Sequence, residues 1–264
     1  MEIVGYIFAL IIGLTLGLTG GGGSILTVPI LVYLMGTSPV LATAYSLFIV
    51  GTSALCGSIS FMKQKLVHYK SALIFGAPAL IAVYATRKFL MPIIPEQIFE
   101  IGSLMLSKDM LIMVVFAIIM VMASISMIRT KKEKVEESQI IKYNYPMILV
   151  EGIIVGVVTG FIGAGGGFLI IPALVIFAKM PMKLAIGTSL LIIAIKSLIG
   201  FLGDIGEQNI DWIFLISFTA VAVIGIYFGV FLNKKISSKK LKQGFGWFVL
   251  AMGVFIIIKE IIIK

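Results

Sequence analysis

The chain has 264 residues, 60% of them hydrophobic and 12% charged, with a mean hydropathy of +1.16. A soluble domain carries about twice that charged fraction, so an aqueous fold is excluded and lipid is the expected solvent for most of the chain. The net charge of +9 does not point to nucleic acid, because the basic residues cluster in short loops between apolar segments, where they set orientation in a bilayer. One cysteine, Cys56, excludes an internal disulfide, and one histidine, His68, excludes a multi-histidine metal site.

Met1-Glu2-Ile3-Val4 open an apolar run with no basic region before it and no small-x-small cleavage site after it, so the first segment is expected to stay in the mature protein. Apolar segments follow at 3–19, 25–35, 41–62, 69–86, 110–128, 147–162, 168–178, 184–203, 211–232 and 245–263. Several reach the roughly 20 residues that a helix needs to cross a bilayer. Segments 25–35 and 168–178 are half that length, and each follows a glycine cluster. Tyr143, Tyr145, Trp212 and Trp247 suit interfacial positions.

The two clusters belong to a repeat. Pro29 and Pro172 are 143 positions apart (172 − 29 = 143), and the same offset pairs Gly13 with Gly156, Gly17 with Gly160 and Gly20 with Gly163. It also pairs Gly22-Gly23 with Gly165-Gly166, Ser46-Leu47 with Ser189-Leu190, and Gly57 with Gly200. The sequence therefore reads as a first membrane half, 1–128, a charged linker, 129–146, and a second membrane half, 147–264.

Loop charge gives the relative orientation. Lys63, Lys65 and Lys70 follow the third segment, whereas the matching loop of the second half carries Asp204, Glu207 and Asp211. Lys234, Lys235, Lys239, Lys240 and Lys242 precede the last segment, whereas its counterpart at 87–109 is nearly balanced. Basic loops that swap position imply copies facing opposite ways. The expected fold is an all-α integral membrane protein of two inverted-topology repeats, each a Gly-broken hairpin with a half-helix plus three transmembrane helices. Loops 62–70, 129–146, 179–183 and 233–243 are then cytoplasmic. Loops 36–40, 87–109 and 204–211 lie outside, with both termini. Eight plain crossings in parallel copies would leave one basic loop misplaced.

The glycine runs are the candidate site. Gly20, Gly21, Gly22 and Gly23 precede Ser24, and Gly163, Gly165, Gly166 and Gly167 form the second run. Consecutive glycines cost a helix roughly 1 kcal/mol each against alanine, and an unwound backbone is tolerated in lipid only where it lines a cavity or binds something. Each half-helix would present free N–H groups and a partial positive charge, which favours an anion. Pro29 and Pro172 are expected in the first turns, where a missing N–H costs least. Ser24, Ser46, Thr188 and Ser189 would add hydroxyl donors. Gly13/Gly17, Gly156/Gly160 and Gly225/Gly229 have the GxxxG spacing of close helix packing. Lys196 lies in the middle of segment 184–203, with Ser53 as its counterpart. A lysine there is functional or paired by default; the substrate is one reading and a structural pair with Glu151 the other.

The doubled G-x-x-x-G-x-x-G-x-G-G-G pattern with a following proline resembles the sulfite exporter TauE/SafE family. So do Ala185-Ile186-Gly187-Thr188-Ser189-Leu190 and, less closely, Ala42-Thr43-Ala44-Tyr45-Ser46-Leu47, which departs at Ala44 and Tyr45. The resemblance implies secondary transport, usually export, of sulfite, sulfonates or other small organic anions at the cell membrane, with no cofactor. No ATP-binding element is present, so flux is driven by the substrate or coupled to an ion, H+ or Na+. A membrane-embedded enzyme would need clustered catalytic groups that the sequence does not supply. A cation transporter would want carboxylates inside the helices, where none is expected. A scaffold subunit remains the other class.

Overall fold

A computed structural model describes residues 2–101, 104–128, 145–176, 180–233 and 238–260. Residues 129–144, with Tyr143, and Lys234 and Lys235 lie outside that set. The architecture is all-α: α1 (Glu2–Thr19), α2 (Ser24–Tyr33), α3 (Pro39–Lys63), α4 (Tyr69–Ala85), α5 (Met91–Ile93), α6 (Lys108–Ile128), α7 (Tyr145–Ile162), α8 (Gly167–Ile176), α9 (Met182–Leu202), α10 (Trp212–Asn233) and α11 (Ser238–Ile258). Five helical stretches among the described residues are long and apolar enough to cross a membrane: Pro39–Lys63, Tyr69–Ile93, Lys108–Ile125, Met182–Leu202 and Trp212–Asn233. The outer surface is hydrocarbon, with Ile213, Ile93, Leu73 and Ile81 exposed. Only lipid can cover such a surface, and the chain is a multi-pass membrane protein.

The expected segments coincide with helices to within a few residues except the last, where α11 begins seven residues before the expected start (245 − 238 = 7), inside the expected 233–243 loop; two further differences stand out. Residues 87–109 are not a plain loop. A π-helical turn at Thr86–Leu90 carries α4 on into α5, because Phe89, Leu90 and Met91 keep the run apolar. An antiparallel hairpin of β1 (Gln97–Ile101) and β2 (Leu104–Ser107) then precedes α6. Secondly, Pro29 is the sixth residue of α2 (29 − 24 + 1 = 6), beyond its first turn, so the Ile25 carbonyl lacks its usual i+4 donor.

Helix directions follow from close contacts. α1 and α10 run parallel, with Gly13 against Ala222 and Gly17 against Ile226 and Gly229. α4 and α7 are also parallel, with Gly156 against Ala79 and Gly160 against Val83 and Thr86. These are the GxxxG surfaces, and a Cβ at Gly13 or Gly156 would strike the facing backbone. α3 and α9, at equivalent places in the two halves, run antiparallel: Gly57 meets Leu190 and Gly200 meets Leu47. Exchanging the halves turns one of these contacts into the other (57 + 143 = 200; 47 + 143 = 190). Gly13–Ala222 likewise maps onto Gly156–Ala79 (13 + 143 = 156; 222 − 143 = 79).

Two further bonds obey the same exchange. The His68 N–H donates to Thr188 Oγ1 at 2.9 Å, and the Asp211 N–H donates to the Tyr45 hydroxyl at 2.8 Å (68 + 143 = 211; 45 + 143 = 188). Each ties the entry to one helix onto a helix of the opposite half. One end of the bundle gathers the start of α1, residues 34–38, Arg87, the 203–211 loop and Glu260, which accepts from the Tyr33 hydroxyl at 3.0 Å. The other end gathers residues 64–68, the starts of α7 and α9 and the end of α10.

Candidate functional site

α1 and α2 form a hairpin, with Gly23 packed back on Ile12 to Leu16 and Met35 against Gly5. At the turn Gly20 has φ +74, and at the α7–α8 turn Gly163 has φ +73, the left-handed backbone that ends a helix and that side chains resist. The two turns meet. A Cβ at Gly21 would strike Gly167 Cα, a Cβ at Gly167 would strike Gly21 Cα, and the Ile193 side chain lies against both. Ile193 stands at mid-length of α9, so the helix breaks touch in the middle of the bundle.

Most of the residues expected to form the site converge here. Ser24 Oγ donates to the Gly21 carbonyl at 2.7 Å, and Gly165 lies beside the Ser24 Cβ. Ser189 Oγ donates to the Gly20 carbonyl of the other half at 2.7 Å. The Gly22 N–H is taken by Thr19 Oγ1 at 2.9 Å. Ser46 is buried and its Oγ has no partner among the described residues, as is true of Ser53 and Ser197. Thr188 is not brought in, because its Oγ1 takes the His68 N–H at one end of the bundle.

Lys196 is 1% exposed. Its Nζ donates to Thr159 Oγ1 at 2.9 Å, and a Cβ at Gly166 would lie 2.7 Å from that nitrogen. The ammonium therefore sits at the α7–α8 break, beside the start of α8. The structural pair with Glu151 does not form; the carbonyl-bonded hydroxyl of Thr159 takes that place. Lys196 also lines a groove of about 390 Å³ between α4 and α9, with Leu73, Gly76, Leu191 and Ile195. Among the described residues no carboxylate pairs with it.

Two features went unread in the sequence, and one expectation fails. Thr159 holds the buried ammonium, yet it is one hydroxyl in an apolar helix. Arg87 is buried and meets Asp204 at 3.4 Å, although the sequence places both at loop edges. Burial pushes the Asp204 carboxyl above its ordinary range, against the downward pull of Arg87. Against the expectation of no carboxylate inside the helices, Glu151 lies within α7, and its Oε2 is buried without a partner among the described residues.

Paired half-helices whose breaks touch inside a hydrocarbon-coated bundle, with a buried cation beside them, define a polytopic membrane transport protein. The profile of the family described as "Sulfite exporter TauE/SafE" matches residues 6–256, and the chain belongs to that family. It is 31% identical over 252 residues to a "Probable membrane transporter protein" of Xylella fastidiosa (strain 9a5c), covering 94% of this chain and 91% of that one. It is 26% identical over 262 residues to the "Probable membrane transporter protein YunE" of Bacillus subtilis (strain 168), with 89% of each chain covered. A stretch of 116 residues, 42% of this chain and 43% of the relative, is 34% identical to the "Probable membrane transporter protein MJ0441" of Methanocaldococcus jannaschii. No solved structure matches the chain.

Proposed function

We propose that the protein is a secondary exporter of a small anion, such as sulfite, a sulfonate or another organic anion, working by alternating access around the two glycine breaks. The carrying observation is Lys196, a buried cation with a neutral hydroxyl as its bonding partner, set against the break that starts α8. An uncompensated charge inside a bilayer is costly. A bound anion would offset it, and the positive ends of α2 and α8 would add to the attraction. The binding set is Gly20 to Gly23 and Ser24 with Ser46 from the first half, and Gly163, Gly165 to Gly167, Ser189 and Lys196 from the second.

The halves 1–128 and 147–264 are inverted copies in this reading. The antiparallel course of α3 and α9 supports it, as does the gathering of the 63–68 loop and the start of α9, with Lys183, at one end. That end, rich in lysine, faces the cytoplasm. A thermal-shift screen of the purified protein against sulfite, sulfate, thiosulfate, sulfoacetate and carboxylates tests the substrate class. A ligand that binds the native state raises the unfolding temperature, so selective stabilisation by one anion is expected. Stabilisation by cations alone would refute an anion carrier.

A further inference from the structure

At the end of the bundle away from the lysine-rich loops, the π-helical turn of α4 faces the loop between α9 and α10. π-turns within α-helices are frequent at functional sites. This one places Arg87 inside, 1% exposed. Its Nη1 reaches Asp204 Oδ1 at 3.4 Å, a long single contact. Among the described residues, the whole side edge of the guanidinium, Nε and Nη2, is buried without a partner, and so is Asp204 Oδ2.

The other half shows what packing alone requires at this seam. The counterparts of Arg87 and Asp204 are Val230 and Phe61 (87 + 143 = 230; 204 − 143 = 61). Both are buried in one apolar cluster, so hydrocarbon closes the equivalent seam. Apolar residues of similar volume are generally as stabilising as a buried ion pair, or more so. A pair with three unsatisfied polar atoms compares worse still. Fold stability therefore does not account for Arg87 and Asp204.

We propose that Arg87 is a second anion-binding position, the gate at this end of the pathway, where the transported anion displaces Asp204 from the guanidinium. The unused Nε–Nη2 edge is a planar fork that takes two oxygens of a sulfonate, sulfite or carboxylate side by side. Asp204 occupies the arginine between passages and repels a lingering anion, so the two exchange. The gate is separate from the central breaks: Asp204 is 11 residues beyond Ile193 (204 − 193 = 11), about 16 Å along the helix direction at 1.5 Å per residue. The inference rests on the anion-transport reading above.

The test uses the full chain with sulfite, sulfoacetate and acetate as probes, in detergent for thermal-shift titration and in proteoliposomes for flux. Asp204→Asn frees Arg87 and should lower the concentration of the stabilising anion needed for half the thermal shift by several fold. The double variant Arg87→Met/Asp204→Leu copies the apolar seam of the other half. It should unfold no earlier than wild type, yet raise the KM for flux at least tenfold. A folded double variant with unchanged KM and rate overturns the gate. The transport reading would then stand on its own if Lys196→Met still lowers flux by at least about tenfold. Should the double variant fail to fold, unchanged anion affinity in Asp204→Asn overturns the gate instead. Wild-type protein that none of the three probes stabilises or crosses would overturn the transport reading, and the gate with it.

Discussion

The break between α7 and α8 holds an ammonium where the break between α1 and α2 has none. Lys196 stands where the first half carries Ser53, and its partner Thr159 stands where the first half carries Leu16 (196 − 143 = 53; 159 − 143 = 16). The backbone geometry is shared where each helix ends, since Gly20 and Gly163 have the same left-handed φ to within a degree, but it then diverges: Gly166 has φ +68 and its counterpart Gly23 φ −61. The two breaks thus start alike and differ in both their later backbone and their charge. An anion held between the breaks would be gripped from one side by a cation and from the other by hydroxyl and backbone dipoles.

The strongest way to break this comparison is Lys196→Met, which keeps the stem and removes the charge. Flux of the transported anion in proteoliposomes should fall by at least about tenfold. The unfolding temperature should hold or rise, since a buried charge without a counter-ion costs stability. Unchanged flux would remove Lys196 from the site. The exchange variant Ser53→Lys/Lys196→Ser sharpens the point, because partial recovery of flux over Lys196→Ser is expected if the two breaks are interchangeable. Gly167→Ala should destabilise by roughly 3 kcal/mol, at the upper end of overpacking costs, because the new Cβ meets backbone that no rotamer change can move. Gly36→Ala is the control: it faces open space and should cost only the left-handed backbone penalty of about 1 kcal/mol. Chemical denaturation in detergent would rank the two, and equal effects would refute the close apposition of the two breaks. The smallest effect is expected of Thr188→Val and Tyr45→Phe. Each removes one symmetric bond to a helix-entry N–H, worth about 1 kcal/mol. A large loss of flux from Thr188→Val with normal stability would return Thr188 to the binding site.

Much of this was legible in the sequence because lipid imposes simple rules. Apolar runs of bilayer length located the helices, and the 143-residue register paired Gly20 with Gly163 before any contact was visible. Lys196 stood out because a cation has no cheap place in a transmembrane helix. What escaped was everything that depends on a partner far along the chain. Thr159 looks like any helix threonine until Lys196, 37 residues on, reaches it. Arg87 and Asp204 each border a loop in the sequence, and only the π-turn and the fold of α9 bring them together across 117 positions. Thr188 shows the same dependence: the sequence offers it as a hydroxyl donor, and only the fold shows its oxygen accepting from the His68 N–H.

The pairing of α1 with α10 and of α4 with α7 has a consequence for how the protein is made. Each half lends its helices to the other, so residues 1–128 inserted alone would expose the glycine surface of α1 to lipid until α10 arrives about a hundred residues later. Synthesis must therefore hold an unfinished half in the membrane, its broken backbone waiting on the rest of the chain. Conversely, the two halves made as separate polypeptides should find each other, since nearly every helix already carries the surface that recognises its mate.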